Sequence, residues 1–147
     1  MNPKDILVIG AGKIGQVVAD LLAGTSDYSV TLADRDADAL DVLAASAMPG
    51  SRVRRVTLDV GDCTALQRAL DGRFAVLSAA PFHFTQRIAE AARAAGVHYL
   101  DLTEDVACTR AIRALAAGAH SALIPQCGLA PGFIAIVAAD LASRFER

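Results

Sequence analysis

Three glycines near the start of the chain have the spacing of a phosphate-binding loop. Gly10, Gly12 and Gly15 fit the pattern G-x-G-x-x-G, directly after an apolar run and before a helical apolar pattern that begins at Ile14. In such a loop the first glycine permits a tight turn, the second lets a pyrophosphate approach the backbone, and the third lets the helix pack closely. Free N–H groups at the helix start favour the negative phosphate. The loop, with Lys13 and Ile14, is therefore predicted to bind nucleotide phosphates.

An acidic residue follows at the position that selects the cofactor. Asp34 ends the second apolar run, about 20 residues beyond the last glycine, where a carboxylate accepts both ribose hydroxyls and repels a 2′-phosphate. This favours NAD. NADP is the alternative, because the neighbouring Arg35 offers a guanidinium to the extra phosphate if Asp34 swings away. Asp59, with Val60, either contacts the adenine side or is a solvated carboxylate at the end of the third strand.

The elements that position these residues alternate between strand and helix. Continuous apolar runs are typical of strands buried on both faces of a parallel sheet. Helical stripes separate them, the first formed by Ile14, Val17, Val18, Leu21 and Leu22 as one apolar face. This pattern predicts a doubly wound α/β (Rossmann) domain over 1–130 with strand order 3-2-1-4-5-6. The predicted strands are 6–9, 30–33, 53–58, 74–79, 97–102 and 121–125.

The composition of the chain argues against some classes of binding partner. The chain has 147 residues, 54% hydrophobic, and a net charge of −2 without a basic block, which argues against nucleic acid. Its apolar runs are too short to span a membrane, and its start lacks a signal-peptide pattern. Three widely spaced cysteines without a CxxC pair predict reduced thiols, a cytoplasmic location and no metal site. The stretch 131–147 is helical and apolar nearly all round, so we expect it to be buried by a further domain that continues the chain.

The second half of the chain resembles a known family. The turn AAPF at 79–82, the strand end HYLDLTE at 98–104 and the segment CGLAPG at 127–132 are similar to the saccharopine dehydrogenase superfamily, nearest its lysine 6-dehydrogenase branch. The resemblance implies that the glycine loop, Asp34 and the turn Ala79, Ala80, Pro81 and Phe82 bind a nicotinamide cofactor.

The family also implies the reaction and the missing parts. Its enzymes oxidise a carbon that bears an amine, pass hydride to the cofactor and leave an imine that water hydrolyses. The expected substrate is an amino acid or a diamine. A second domain after the CGLAPG segment carries much of the substrate site and often the dimer contacts, so a homo-oligomer is expected. This chain would be the cofactor half of such an enzyme and inactive by itself.

Catalytic candidates follow the later strands, because ligands of doubly wound sheets lie beyond the carboxyl ends of the strands. Phe82 is expected to pack on the nicotinamide, and His83 either acts as a base or only starts a helix. Asp101, Glu104 and Asp105 cluster at a helix start, where capping is the ordinary explanation and accepting a substrate ammonium the functional one. From this cluster we select Asp105.

Cysteine and histidine candidates complete the site predictions. Cys127 follows the sixth strand and is a candidate substrate or nicotinamide contact; a nucleophilic role is less favoured, because no base adjoins it. Cys108 is expected in the core, and Cys63 in the first turn of a helix capped by Asp62. His98 and His120 flank strands without metal spacing.

Two other functions are compatible with parts of the sequence. A regulatory nucleotide-sensing domain shares the glycine loop but leaves the segment 127–132 unexplained. A short-chain dehydrogenase needs a tyrosine and a lysine four residues apart, whereas the chain has lysine only at Lys4 and Lys13.

Overall fold

The computed structural model describes residues 2–45, 52–130 and 132–145. Within these ranges the backbone forms one sheet of six parallel strands in the order β3-β2-β1-β4-β5-β6. The doubly wound fold and its strand order are thereby confirmed. The strands are β1 Lys4–Ile9, β2 Tyr28–Asp34, β3 Arg54–Thr57, β4 Ala75–Ser78, β5 His98–Asp101 and β6 Leu123–Ile124.

Helices connect the successive strands, as parallel pairing requires. A short 3-10 turn, Phe82–Phe84, precedes the fourth helix. The helices are α1 Lys13–Gly24, α2 Ala37–Ala45, α3 Cys63–Leu70, α4 Thr85–Ala95, α5 Val106–Ala116 and α6 Phe133–Ser143.

The edge strands are shorter than their apolar runs predict. The third strand, predicted over 53–58, spans Arg54–Thr57, and the sixth, predicted over 121–125, spans only Leu123–Ile124. Each has a neighbour on one side only, so fewer backbone bonds extend it. The prediction that Asp59 ends the third strand is therefore wrong. Asp59 lies in a turn in which its Oδ1 accepts a hydrogen bond from the Gly61 N–H at 2.7 Å.

Two apolar cores cover the faces of the sheet. On one face α3, α4 and α5 pack against β1, β4 and β5 through side chains such as Leu66, Ile88 and Ile112. On the other face α1 and α2 pack against β1 and β2 through Ala19 and Leu40. Fully burying one such leucine or isoleucine stabilises the fold by about 1.5–3 kcal/mol.

The first helix presents a different face to the sheet from the one its apolar stripe predicts. Gly15 and Ala19 are buried, whereas Ile14, Val17 and Leu21 are exposed. The small residues let the helix approach the strands closely, and this rotates the larger side chains at i, i+3 and i+7 outward. The expectation of one apolar face turned to the core is thus wrong for these three residues.

The last helix packs against little of the described protein. None of its residues is buried, and large apolar side chains such as Phe133, Ile136 and Leu141 are exposed. The predicted segment 131–147 includes positions 131, 146 and 147, which lie outside the described residues. No helix within the described ranges is long and apolar enough to cross a membrane.

Candidate cofactor site

The glycine loop lies between the ends of β1 and β4. Gly10 has a φ of +104°, and a Cβ on it would lie 2.6 Å from the Ala79 carbonyl oxygen. A Cβ on Gly15 would lie 1.8 Å from the Gly10 carbonyl oxygen. Both positions therefore exclude any side chain, because the atoms they would meet are backbone. These contacts hold the start of α1 against the carboxyl end of the sheet.

The start of α1 is open toward solvent. Gly12 is its N-cap and offers no side-chain acceptor, and the first turn carries no acidic residue. A Cβ on Gly12 would meet no other atom within 4 Å. The first N–H groups of the helix thus face open space without a competing carboxylate, and this suits a phosphate that approaches the backbone.

Asp34 connects this loop to the end of β2. Its Oδ2 accepts a hydrogen bond from the Ala11 N–H at 2.7 Å, and its Oδ1 accepts one from the Asp36 N–H at 3.1 Å. The carboxylate is half-buried, while Arg35 is exposed beside it. Each carboxylate oxygen has a further lone pair for a ligand hydroxyl. Asp34 is therefore positioned by the backbone before any ligand arrives.

A cleft of about 420 Å³, here the first cleft, brings most of these residues together. Its size suits part of a dinucleotide. Of the predicted cofactor residues it is lined by Gly10, Gly12, Asp34, Arg35, Asp59, Val60, Ala80 and Pro81. It is also lined by residues not predicted as cofactor contacts: Ile9, Ala11, Asp36, Ala39, Leu58, His83 and Phe84.

The additional lining has a detectable origin in the chain. The Leu58 N–H donates to the Asp34 carbonyl oxygen at 2.8 Å, which brings the residues after β3 beside the end of β2. Asp36 lies in the turn that follows Asp34, and Ala39 lies in the first turn of α2. Position immediately after a predicted strand end is the signal that would have found them.

A second cleft of about 330 Å³ lies beyond the ends of β4 and β5 and shares Ala80 with the first. Lys13 and Gly15 line neither cleft. The two clefts therefore bring together the other predicted cofactor residues but not these two. The second cleft is lined by Ile14, Ser78, Ala79, Ala80, Phe82, Thr85, Asp101, Leu102, Thr103 and Glu104.

Asp101 organises the base of the second cleft. It is almost fully buried and accepts hydrogen bonds from the Tyr99 hydroxyl at 2.9 Å, the Thr103 N–H at 2.9 Å and the Gln126 N–H at 3.1 Å. The Cys127 N–H donates to its carbonyl oxygen at 2.7 Å. Asp101 thus ties the end of β5 to the segment that follows β6. Burial, and then the Asp101 charge, raise the pKa of Tyr99 far above its ordinary value.

The other two carboxylates of the cluster differ from Asp101 and from each other. Asp105 is the N-cap of α5; its Oδ1 accepts from the Cys108 N–H at 2.7 Å, and this bond lowers the pKa of Asp105. It lines neither the first nor the second cleft. Glu104 is exposed and lines the second cleft. The catalytic role of Asp105 stays a prediction, and Glu104 is the carboxylate of the three that is both exposed and part of the second cleft.

The remaining candidates lie around the two clefts. His83 belongs to the 3-10 turn and lines the first cleft rather than the second, with its ring centroid 4.2 Å from that of Phe84. Cys127 is exposed as a residue and lines neither cleft; partial desolvation of its thiol, and then the Asp101 charge, raise the pKa of that thiol. Their catalytic roles stay predictions.

Two further cysteine predictions have clear outcomes. Cys108 is only half-buried, so the expectation of a core thiol is wrong; its Sγ lies 3.7 Å from the Phe82 carbonyl oxygen. Cys63 opens α3 as predicted, where the Asp62 Oδ1 accepts from the N–H groups of Thr64 and Ala65.

The fold, the open helix start and the acidic residue at the end of β2 define a dinucleotide-binding domain of the doubly wound class. A family model described as the saccharopine dehydrogenase NADP binding domain matches residues 6–124, and the chain belongs to this family. The superfamily predicted from the sequence is thereby confirmed. The family description names NADP, the alternative cofactor of the sequence analysis.

Similar proteins support this assignment. Saccharopine dehydrogenase [NADP(+), L-glutamate-forming] of Saccharomyces cerevisiae is 34% identical over 89 residues, which cover 60% of this chain and 19% of that protein. The solved apo structure of yeast saccharopine dehydrogenase (L-Glu forming) has a TM-score of 0.81 at 26% identity and covers 95% of this chain and 31% of that chain.

A more distant structure shares the fold alone. A putative myo-inositol dehydrogenase from Sinorhizobium meliloti 1021 has a TM-score of 0.68 at 22% identity, over 96% of this chain and 42% of that chain. The chain spans less than a third of the yeast relatives that it matches.

Proposed function

We propose that this domain binds a nicotinamide dinucleotide and serves as the cofactor half of an oxidoreductase that oxidises a carbon bearing an amine. The observation that carries the proposal is the uncapped start of α1 at Gly12, which opens into the same cleft as the carboxylate of Asp34. N–H donors for a phosphate and a carboxylate acceptor for ribose hydroxyls are thus neighbours at one edge of the sheet. The cofactor would supply the hydride acceptor.

The two clefts suit the two ends of such a ligand. In this arrangement the N–H groups at the start of α1 hold the pyrophosphate, and Asp34 holds the adenosine ribose in the first cleft. The turn from Ala79 to Phe82 leads from the first cleft to the second, because Ala80 lines both. The nicotinamide end would then reach the second cleft, where the exposed ring of Phe82 is available for packing.

NAD is the cofactor that we favour. Asp34 is fixed by two backbone N–H groups, so swinging away to admit a 2′-phosphate would break both hydrogen bonds. The opposing observation is the exposed guanidinium of Arg35 in the same cleft, together with the NADP in the description of the family. The preference therefore depends on whether the Asp34 charge or the Arg35 charge dominates.

Fluorescence titration with NADH and NADPH tests this preference. We expect tighter binding of NADH, and we expect Asp34→Asn to weaken NADH by about tenfold while NADPH gains or is unchanged. Asp38→Asn, an exposed carboxylate in the first turn of α2, is the matched control. Tighter NADPH binding by the unaltered protein would reverse the cofactor assignment, and binding of neither dinucleotide would contradict the proposed site.

Glu104 is the carboxylate that we assign to the substrate ammonium. It lines the second cleft and is exposed, whereas Asp101 is buried with its oxygens occupied by hydrogen-bond donors. An exposed carboxylate attracts a cationic amine and has free acceptor capacity for its protons. The finer assignment, to saccharopine, lysine or a related diamine, follows from the resemblance of the segments at 98–104 and 127–132.

Cofactor reduction by the product of the complete gene tests the chemistry. We expect turnover with lysine, saccharopine or a related diamine, and a KM for the amine raised about tenfold or more by Glu104→Gln. Glu90→Gln, on the exposed face of α4, is the control. Dinucleotide binding without turnover of any amine would instead support the regulatory nucleotide-sensing function.

We also propose that α6 packs against a further domain in the complete protein. Its exposed apolar side chains, including Phe133, Ile136 and Leu141, support this. A homo-oligomeric state and a cytoplasmic location stay predictions. Light scattering of the complete gene product would measure the oligomeric state.

A further inference from the structure

A polar cleft lies at the opposite end of the sheet from the glycine loop. It has a volume of about 540 Å³ and is formed by the amino-terminal parts of β1, β2 and β3 together with the end of α3 and the turn after it. We call it the arginine cleft. It is lined by Asp5, Ser29, Val30, Arg52, Arg54, Arg68, Asp71, Gly72 and Arg73.

The cleft arises where one face of the sheet changes from apolar to polar. Asp5 pairs with Ser29 and Thr31 with Arg54 in the strand register. These residues lie on the same face as Leu7, two positions along β1, which belongs to the core under α3. The apolar core therefore ends before the amino edge of the sheet, and polar side chains line the remaining space.

The Arg73 side chain is held in position at one side of the arginine cleft. Its Nη1 donates to the Thr31 hydroxyl at 3.0 Å, its Nε donates to the Ala69 carbonyl at 3.2 Å, and Nη1 lies 3.5 Å from the Asp5 carboxylate. Burial lowers the pKa of Arg73; Asp5 opposes this effect, and the positive charge of Arg54 adds to it. The Arg54 guanidinium therefore lies close enough to the partly desolvated Arg73 guanidinium to repel its positive charge.

The positive charge of the cleft exceeds its negative charge. Four arginines, Arg52, Arg54, Arg68 and Arg73, line it with two carboxylates, Asp5 and Asp71. Among the described residues, Arg73 is the one arginine of the four whose guanidinium forms an ion pair or a hydrogen bond. Several guanidinium groups are therefore available to an anion within one concave surface.

We infer that the arginine cleft binds a small polyanion, a compound with two or more neighbouring phosphate or carboxylate groups. The planar guanidinium group presents paired donors that match the oxygens of such groups, and several of them together favour a multiply charged ligand over a single chloride. The volume suits a small metabolite. Because the cleft is at the amino ends of the strands, its ligand and a dinucleotide at the carboxyl ends would not compete.

Calorimetric titration with pyrophosphate, and separately with citrate, tests this inference when saturating NADH already occupies the glycine loop, which is itself proposed to hold a pyrophosphate. We expect pyrophosphate to bind and the double variant Arg54→Ala/Arg68→Ala to weaken it by about tenfold or more. Both side chains belong to positions exposed to solvent, so the variant should fold normally. Arg110→Ala/Arg113→Ala, on the exposed side of α5, removes the same charge elsewhere and should leave the affinity within about twofold.

The comparison of ligands and variants separates this site from the cofactor site. Binding of citrate as well as pyrophosphate would assign the cleft to oxyanions in general, and binding of pyrophosphate alone would assign it to phosphates. With NADH bound, pyrophosphate should still bind, and the binding that remains should be the part weakened by Arg54→Ala/Arg68→Ala. Equal weakening by both double variants, or no binding of either anion to the NADH-saturated protein, would overturn the inference.

Discussion

The two clefts at the carboxyl edge of the sheet are built in different ways. The first depends on the backbone, because Gly10 and Gly15 allow two chain segments to touch and the N–H groups of α1 form the binding surface. The second depends on one buried side chain, Asp101, which gathers donors from β5 and from the segment after β6. The first cleft should therefore be disrupted by substitutions that add atoms to its glycines. The second cleft should be disrupted by substitutions that remove the carboxylate of Asp101.

The largest expected effect is in the second cleft. Asp101→Ala leaves two backbone N–H groups without their acceptor and leaves the Tyr99 hydroxyl only its longer hydrogen bond to the Thr85 carbonyl oxygen at 3.3 Å, and we expect the free energy of unfolding to fall by about 4 kcal/mol. Urea unfolding measures this loss. Glu104→Ala removes a neighbouring exposed carboxylate and should change stability by less than about 0.5 kcal/mol. Equal effects of the two substitutions would show that Asp101 does not organise the cleft.

The next effect is in the first cleft, from a single added carbon. In Gly15→Ala the new Cβ would lie 1.8 Å from the Gly10 carbonyl oxygen, so α1 must shift away from the loop. We expect a loss of about 3 kcal/mol in unfolding free energy, together with loss of dinucleotide binding.

Gly24→Ala provides the control for this substitution, because it adds the same atom to the last residue of the same helix. No atom lies within 4 Å of a Cβ at that position. We expect its stability to be unchanged or raised by up to about 1 kcal/mol. If Gly15→Ala unfolded at the same urea concentration as Gly24→Ala, close packing of the loop on the helix would be refuted.

An intermediate effect depends on pH and again concerns the second cleft. Burial and the Asp101 charge raise the pKa of Tyr99, so above about pH 10 the unfolded chain releases this proton while the folded protein retains it. Stability is therefore fully present below about pH 10 and falls by up to about 1.4 kcal/mol per pH unit above it. Tyr99→Phe should cost about 1.5 kcal/mol at neutral pH and abolish this alkaline loss.

Urea unfolding across the alkaline range measures that difference. The matched variant is Tyr28→Phe, at the start of β2. It should keep the steep alkaline loss, since Tyr99 is unchanged in it. An alkaline loss of the same slope in Tyr99→Phe would assign the pH dependence to another group.

The same contrast explains how much the sequence could predict. Strand order and the position of Asp34 were predictable, because apolar runs and glycine spacing are local in the chain. The roles of Asp101, Glu104 and Asp105 were not, because the three carboxylates are alike in sequence. What separates them is the inward direction of Tyr99 and the capping of α5, which only the packed structure determines.

The face of α1 illustrates a second limit. Periodicity identifies apolar rows on a helix but does not say which row meets the sheet. Here Gly15 and Ala19 meet it, because small residues permit the close approach that the loop requires, and Ile14 and Val17 are left outside. The same limit explains why the prediction of a core position for Cys108 is wrong. Thr109 and Ile112 form the buried face of α5, and Cys108 lies beside that face.

Gly12 is the position in the glycine loop where an added methyl group should alter stability least. Gly12 has a φ of −69°, which any residue adopts, and a Cβ there would meet no atom within 4 Å. Gly12→Ala should therefore change the free energy of unfolding by less than about 1 kcal/mol, because the lower entropy of the unfolded chain and the poorer N-cap act in opposite directions. If a pyrophosphate occupies that open space, the methyl group would obstruct it and weaken NADH binding by about tenfold or more.

Unchanged NADH affinity in a folded Gly12→Ala variant would mean that the ligand does not approach the backbone here. Reduced affinity at unchanged stability would separate the binding role of Gly12 from the packing role of Gly15.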